Sequence, residues 1–260
     1  MTETAGVPGT AAALGDRAPV REAPVAESAK PVLEFHDVHK HYPGVDALRG
    51  VSFTLPRGVV VGLLGANGSG KSTLIKLAAG MLRPNRGRVR VLGLEPGRRT
   101  KARVAYLPEV DHLYAWMTVA ETLDFVRRFY GDWQPERERL LMEELGLPER
   151  QRVGALSKGM RARLRLVLAL SRAADLILLD EPLSGIDPPS RSRITRAILA
   201  AYRAGEQTLL LSTHEVLETE SLFDRVLVLD RGRVVLDGDA DSLRGQAGRS
   251  IQALLEEVLG

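Results

Sequence analysis

The sequence predicts an α/β protein with a mainly parallel sheet covered on both faces. Short aliphatic runs at residues 59–64, 176–179, 208–212 and 226–229 read as strands buried on both sides. Helical patterns separate most of them, and this alternation argues for parallel strands joined by crossover helices. The first of these runs breaks at Gly65 into a loop of small residues and then opens straight into a helical pattern at Lys71.

Residues 1–31 are rich in Ala, Pro, Gly, Thr and Glu and almost devoid of large apolar side chains, so a disordered tail is expected. Alternation over residues 32–38 and 48–55 predicts two strands, with a turn at Tyr42-Pro43-Gly44 between them. After the helix that begins at Lys71, residues 80–87 read as a turn-rich connection. Residues 88–92 read as an edge strand with its arginines on one face. Arg83, Arg86, Arg88, Arg90, Arg98, Arg99, Lys101 and Arg103 make this a basic region. A solvated face is the expectation for it, and no nucleic acid is expected as a partner.

Residues 104–108 carry a short strand signal that ends at Glu109. From 118 to about 145 the pattern is helical and amphipathic, bracketed by Trp116 and Trp133, both expected as core anchors. A further helix is predicted over 159–170, and two more over 189–202 and 215–222. A hairpin-like strand at 233–236 and an amphipathic helix at 250–259 complete the chain.

Composition narrows the function classes. Of 260 residues, 44% are hydrophobic and 27% charged, ordinary for a water-exposed globular fold. No apolar stretch approaches the roughly 18 residues needed to span a bilayer, so the chain is not expected to be a channel or carrier itself. The N-terminus lacks a basic-then-apolar secretory pattern, which makes a cytoplasmic location the default. The absence of cysteine excludes disulfides, thiolate metal sites and cysteine nucleophiles. A net charge of +3 is too small to demand an anionic partner.

The loop from Gly65 to Ser72 fits G-x-x-x-x-G-K-[ST], with a strand before it and a helix after. Glycines let backbone amides approach a triphosphate, and the helix N-terminus adds oriented positive dipoles. Lys71 is expected to reach the β- and γ-phosphates, and the Ser72 hydroxyl to sit on Mg²⁺. A second set of groups lies at the end of the 176–179 strand. Asp180 is placed to hold Mg²⁺ through water, and Glu181 to orient or deprotonate an attacking water. His214 ends the strand that runs through Leu211-Ser212-Thr213, near the expected γ-phosphate; alone it reads as structural. Ser157 and Gly159 head the 159–170 helix as a second anion-binding terminus with no evident use in the same subunit.

The order of these motifs resembles the ATP-binding subunit of ATP-binding-cassette transporters, over about residues 32–245. Tyr42 is similar to the aromatic residue that stacks on adenine. Gly65, Ala66, Asn67, Gly68, Ser69, Gly70, Lys71, Ser72 and Thr73 match the Walker A loop. Leu156, Ser157, Lys158, Gly159 and Met160 resemble the signature motif, and residues 176–181 the Walker B strand with its catalytic glutamate. Ser184, Gly185, Ile186 and Asp187 resemble the D-loop, and His214 the switch histidine. Lys158 and Met160 replace a glycine and a glutamine of the usual signature, and Glu109 stands where the family carries glutamine. Both departures are read as tuning of an exporter-type subunit.

The resemblance implies a P-loop NTPase (RecA-like) core, an N-terminal antiparallel β part, an inserted helical subdomain at about 110–172, and a C-terminal helix within 246–260. It implies Mg²⁺ held by Ser72, Asp180 and Glu109, with ATP as substrate. Lys71, Glu181 and His214 are the expected catalytic groups, and ATP is expected between one subunit's Walker A and the other's signature helix. The implied partners are a second ATP-binding subunit, in a homo- or heterodimer, and membrane-spanning permease subunits near residues 109–133, with the chain peripheral on the inner face of the cell membrane. The competing expectation is an ATPase of the same superfamily that works away from membranes, such as one of iron–sulfur assembly. A simple P-loop kinase leaves Ser157, Gly159 and His214 without a purpose.

Overall fold

The first two strands form a hairpin ahead of the Gly65–Thr73 loop, in a computed structural model that describes residues 30–247 and 250–259. All but the last two residues of the expected tail lie outside that range. The chain runs β1 (Leu33–Tyr42), β2 (Val45–Leu55), β3 (Val60–Leu64), α1 (Lys71–Ala78), β4 (Arg86–Val91), α2 (Arg98–Lys101) and β5 (Val104–Leu107). Three helices follow: α3 (Val119–Arg127), α4 (Pro135–Leu145) and α5 (Lys158–Leu170). The remainder is β6 (Leu176–Asp180), α6 (Pro188–Ala201), β7 (Thr208–Thr213), β8 (Arg225–Asp230), β9 (Arg233–Asp239), α7 (Ala240–Ala247) and α8 (Ile251–Leu259).

The main sheet has the order β5-β6-β7-β3-β8-β9 and is parallel except for β9. A smaller antiparallel sheet has the order β2-β1-β4. Because strand side chains alternate between faces, each aliphatic run feeds two cores. Val61 and Leu63 of β3 join Leu74, Ile75 and Leu77 of α1 and Leu33, Phe35 and Leu48 of the small sheet. Val60 and Leu64 point the other way, into a core that includes Leu164 and Leu166 of α5 and Ile194 and Ile198 of α6. Every residue of β3, β6 and β7 is buried. Each large side chain so buried contributes roughly 1.5–3 kcal/mol relative to exposure, which makes these strands a rigid platform for the loops at their ends.

The helices have readable starts. Thr118 and Glu121 form a reciprocal capping box on α3. Pro135 opens α4, Ser157 caps α5, and Asp187 caps α6 with Pro188 at its first position. As expected, β4 is an edge strand, with Arg88 and Arg90 exposed.

Several expectations are corrected. The 118–145 pattern is two helices, α3 and α4, separated by a connection in which Trp133 is buried against the helical core. Trp116 is 66% exposed and anchors no core. Residues 215–222 form turns with a short 3₁₀ segment (Glu220–Leu222), not a helix. Leu217, which the helical reading needs on the core side, is 70% exposed. The first two strands extend further than expected, to Tyr42 and back to Val45. A helix at Ala240–Ala247 was not foreseen. The C-terminal helix buries Ile251 and Leu255 on the core shared with α5 and α6.

Candidate active site at the carboxyl ends of the parallel strands

In the order β6-β7-β3, the loops that leave the carboxyl ends of three neighbouring strands converge. This is where ligands bind in open α/β sheets. The Gly65–Thr73 loop follows β3, Asp180 and Glu181 end β6, and His214 follows β7.

The loop's glycines are required by space and by conformation. Gly65 has φ 148°, and a Cβ there would collide with the Leu229 carbonyl oxygen. Gly70 has φ 112°, and a Cβ would come within 2.5 Å of the Ala47 carbonyl, so β2 lies against the loop. Ala66, Asn67 and Gly68 form its exposed tip. Ser69 accepts from Gly232 N at its carbonyl (2.9 Å), which ties the loop to the β8–β9 turn. Ser72 and Thr73 lie half-buried in the first turn of α1.

Lys71 is 5% exposed and folds back over its own loop, donating to Gly65 O (2.8 Å) and Ala66 O (3.1 Å). Its ammonium lies 3.2 Å from Glu181 Oε1. That approach is an ion pair without aligned hydrogen-bond geometry, and Oε1 has no hydrogen-bond partner among the described residues. The other carboxylate oxygen, Oε2, lies 2.9 Å from His214 Nδ1. Glu181 has φ 48°, a left-handed conformation that costs a non-glycine residue of order 1–3 kcal/mol and is typical of functional positions. Its backbone amide donates to Ser212 Oγ at 3.0 Å, which holds this turn in place.

Asp180 is fully buried. Its Oδ1 accepts from Ser72 Oγ (3.0 Å) and Ser212 Oγ (2.9 Å), whereas Oδ2 has no hydrogen-bond partner among the described residues. Burial pushes its carboxyl above the usual aspartate value, the two hydroxyls pull it down, and the negative charge of Glu109 raises it again. A buried carboxylate with an orphaned oxygen beside a serine hydroxyl is the hard oxygen donor set that suits Mg²⁺. Among the described residues no cluster of three or more His, Asp or Glu side chains is arranged to hold a metal. Ser212, which supports both acids, was not singled out from sequence, although it lies in the strand that leads to His214. Glu109 is exposed; its carbonyl, with that of Pro108, accepts from Arg165 Nη1 at 2.8 and 2.9 Å.

Tyr42 ends β1 with its ring 39% exposed and the Lys40 ammonium 5.4 Å from the ring centroid. Leu156 is buried, and Ser157 caps α5 by accepting from Met160 N at 3.2 Å. A Cβ on Gly159 would lie 3.5 Å from Asp187 Oδ1 and 3.7 Å from Ser190 Oγ. The exposed Lys158 places its ammonium against Gly185, next to half-buried Ser184, where φ is 64°. Asp187 caps α6 through Ser190 N (3.0 Å), and the Ser190 hydroxyl, with that backbone amide, holds its carboxyl below the ordinary value. The α5 N-terminus thus packs on residues 185–190. Neither Ser157 nor Gly159 hydrogen-bonds to the Gly65–Thr73 loop among the described residues.

Comparison with known proteins gives a consistent result. A family model described as "ABC transporter" matches residues 48–184. An uncharacterized ABC transporter ATP-binding protein of Synechocystis sp. is 33% identical over 251 residues, 89% of this chain and 71% of that protein. A Nod factor export ATP-binding protein I of Rhizobium johnstonii is 36% identical over 242 residues, 90% of this chain and 74% of that protein. A solved ATP-binding subunit of an ABC transporter superposes with a TM-score of 0.77 at 32% identity, covering 88% of this chain and all of that one.

Proposed function

The chain belongs to the ABC transporter family as an ATP-binding ATPase subunit, and from that premise we propose that it drives export through a separate membrane-spanning partner. The observation that carries the site assignment is the convergence of Lys71, Glu181 and His214 with the Ser72–Asp180 pair on three adjacent strand ends. The relative named for Nod factor export supports the direction of transport.

Tyr42 receives the adenine ring, and the amides of residues 65–73 wrap the phosphates. Lys71 leaves Glu181 for the β- and γ-phosphate oxygens, which frees the carboxylate. Glu181 then takes a proton from the water whose oxygen bonds the γ-phosphorus as the bond to the β–γ bridging oxygen breaks and ADP leaves. His214, already 2.9 Å away, holds that carboxylate and faces the transferred phosphoryl group. Ser72 and Asp180, with Glu109 nearby, would hold Mg²⁺, which when bound neutralises phosphate charge. These groups supply position and charge, the main needs of phosphoryl transfer.

The α5 N-terminus has no ligand to serve within its own subunit. It completes the site of a second ATP-binding subunit, for which another copy of this chain suffices, by presenting Ser157 and Gly159 to the γ-phosphate. Residues 184–187 lie at the same junction. On this reading residues 32–245 are the ATP-binding unit and 110–172 its helical insert.

No helix among the described residues is long and apolar enough to cross a membrane. Tyr114, Trp116, Phe125 and Phe129 form a linked aromatic group with ring centroids 5.1–6.1 Å apart, each ring 40–68% exposed. Such a patch suits an apolar protein partner, and we assign it to the permease, which would hold the chain on the inner face of the membrane. The test is capture of tagged Glu181→Gln protein with Mg-ATP from detergent-solubilised native membranes. Recovery of a multi-span protein supports the reading. Recovery of water-soluble partners alone, with the chain absent from membranes, overturns it.

A further inference from the structure

The turn after β5 and the helix headed by Ser157 are distant in sequence yet joined by two arginines. Arg161 and Arg165 lie four residues apart on α5, and so on one face of it. Arg165 Nη1 donates to both Pro108 O (2.9 Å) and Glu109 O (2.8 Å). Arg161 Nε lies 3.7 Å from Asp111 Oδ2, and Asp111 Oδ1 in turn accepts from Leu113 N at 2.9 Å. The turn at 108–113 is therefore held at its backbone by one arginine and at its acid by the next.

Arg165 is an expensive way to fill this space. Its guanidinium is largely desolvated, and burial lowers its pKa. Its bonded acceptors are neutral carbonyls, and its buried Nε has no hydrogen-bond partner among the described residues. An aliphatic side chain would bury more cheaply. What the arginine achieves is geometric: two donors fix two consecutive carbonyls, and with them the backbone of Glu109. The position of Glu109 matters because its carboxylate is assigned, with Ser72 and Asp180, to the metal side of the proposed site, and its backbone is what the arginine holds.

We propose that Arg165, assisted by Arg161, is a positioning residue that clamps the Glu109 turn to the helix headed by Ser157. Displacement of either end then shifts Glu109 relative to the metal side. The clamp ties α5 to the turn that carries Glu109 and leads on to the exposed aromatic group at Tyr114. It rests on the assignment of Glu109 and Asp180 to the metal side.

The test is ATP hydrolysis by the purified full chain, titrated with Mg²⁺ at saturating ATP. Glu109→Gln is read first. Wild-type Mg²⁺ dependence in that variant would refute the assignment of Glu109, and the proposal with it. Arg165→Gln is expected to raise the Mg²⁺ concentration at half-maximal rate by about tenfold, the low end for loss of a group that orients a metal-side acid. Arg165→Lys should recover part of the shift, and Arg165→Gln should add nothing in a Glu109→Gln background. The more exposed Arg161→Gln, which leaves the core untouched, should move the midpoint the same way by a smaller factor. Multiplicative effects in the double variant, or a rate lowered equally at every Mg²⁺ concentration, would show that Arg165 serves the fold alone and overturn the proposal.

Discussion

Replacing Glu181 with glutamine should have two opposite effects, both traceable to its partners. Lys71 and Glu181 face each other at 3.2 Å, with side chains 5% and 7% exposed. Coulomb's law at that separation, with an effective dielectric constant of about 20, gives an attraction of roughly 5 kcal/mol. Desolvation of both ions offsets most of it, and a net of about 1–2 kcal/mol is a reasonable remainder. On the proposed mechanism ATP breaks this pair to recruit Lys71. Glutamine preserves the shape and the contact with His214 but releases the ammonium, so ATP affinity should rise about 5- to 30-fold, the same 1–2 kcal/mol as a ratio. Turnover should fall about 10²- to 10⁴-fold, the usual contribution of a positioned general base. Fluorescent-nucleotide titration and single-turnover hydrolysis measure the two effects separately. Weaker ATP binding would refute the competition between Glu181 and phosphate for Lys71. Unchanged turnover would refute Glu181 as the base.

Other residues give predictions of different kinds. Because burial raises the Asp180 carboxyl, its ionised form opposes folding. That penalty is absent below the ordinary aspartate value, grows as pH rises from there through the raised native value, and is complete above it. Asp180→Asn should therefore raise the melting temperature of nucleotide-free protein at pH 7 while Mg²⁺-dependent hydrolysis is lost; a lower melting temperature would contradict the penalty. Arg172 is 3% exposed, pairs with Asp132 at 3.0 Å, donates to Val104 O and Ala102 O, and stacks 3.9 Å from the Tyr130 ring centroid. Arg172→Ala should cost about 3–5 kcal/mol, and a denaturant midpoint within 1 kcal/mol of wild type would exclude that network as a keystone. Trp116→Ala combined with Phe129→Ala removes surface rings only, so melting should be unchanged while permease recovery in the capture experiment drops at least tenfold. Undiminished recovery would place the docking surface elsewhere.

The parts of this molecule that could be read from sequence are those set by local pattern. β3, the Gly65–Thr73 loop and α1 follow from an aliphatic run, small residues and helical spacing, all within 20 residues of one another. The acids at the end of β6 announce themselves in the same way. The clustering of Lys71, Glu181 and His214 depends on β7 lying between β6 and β3, a strand order that no local pattern records. For the same reason Ser212 went unassigned, since its value lies in reaching across to Asp180 and to the Glu181 amide. The break between α3 and α4 was hidden because Tyr130 and Trp133 continue an apolar spacing through the connection. Gly131 and Pro135 were the available signals. The false helix at 215–222 arose because Val216, Leu217 and Leu222 imitate helical spacing, whereas Thr213 Oγ1 bonds back to Glu215 N and starts a turn. Helix α7 is short, carries Gly245 and takes its start from Asp239 bonding to Ser242 N, a cap easily passed over.

On the proposed function each ATP is hydrolysed between Lys71 of one subunit and Ser157 of another. Lys71→Ala protein keeps a working α5 N-terminus, and Ser157→Arg protein keeps a working phosphate loop, so each should be nearly inactive alone. Mixing them assembles one intact site per heterodimer. Hydrolysis should rise with the proportion of mixed dimers. An inactive mixture of two folded proteins, or full turnover by Ser157→Arg alone, would contradict it.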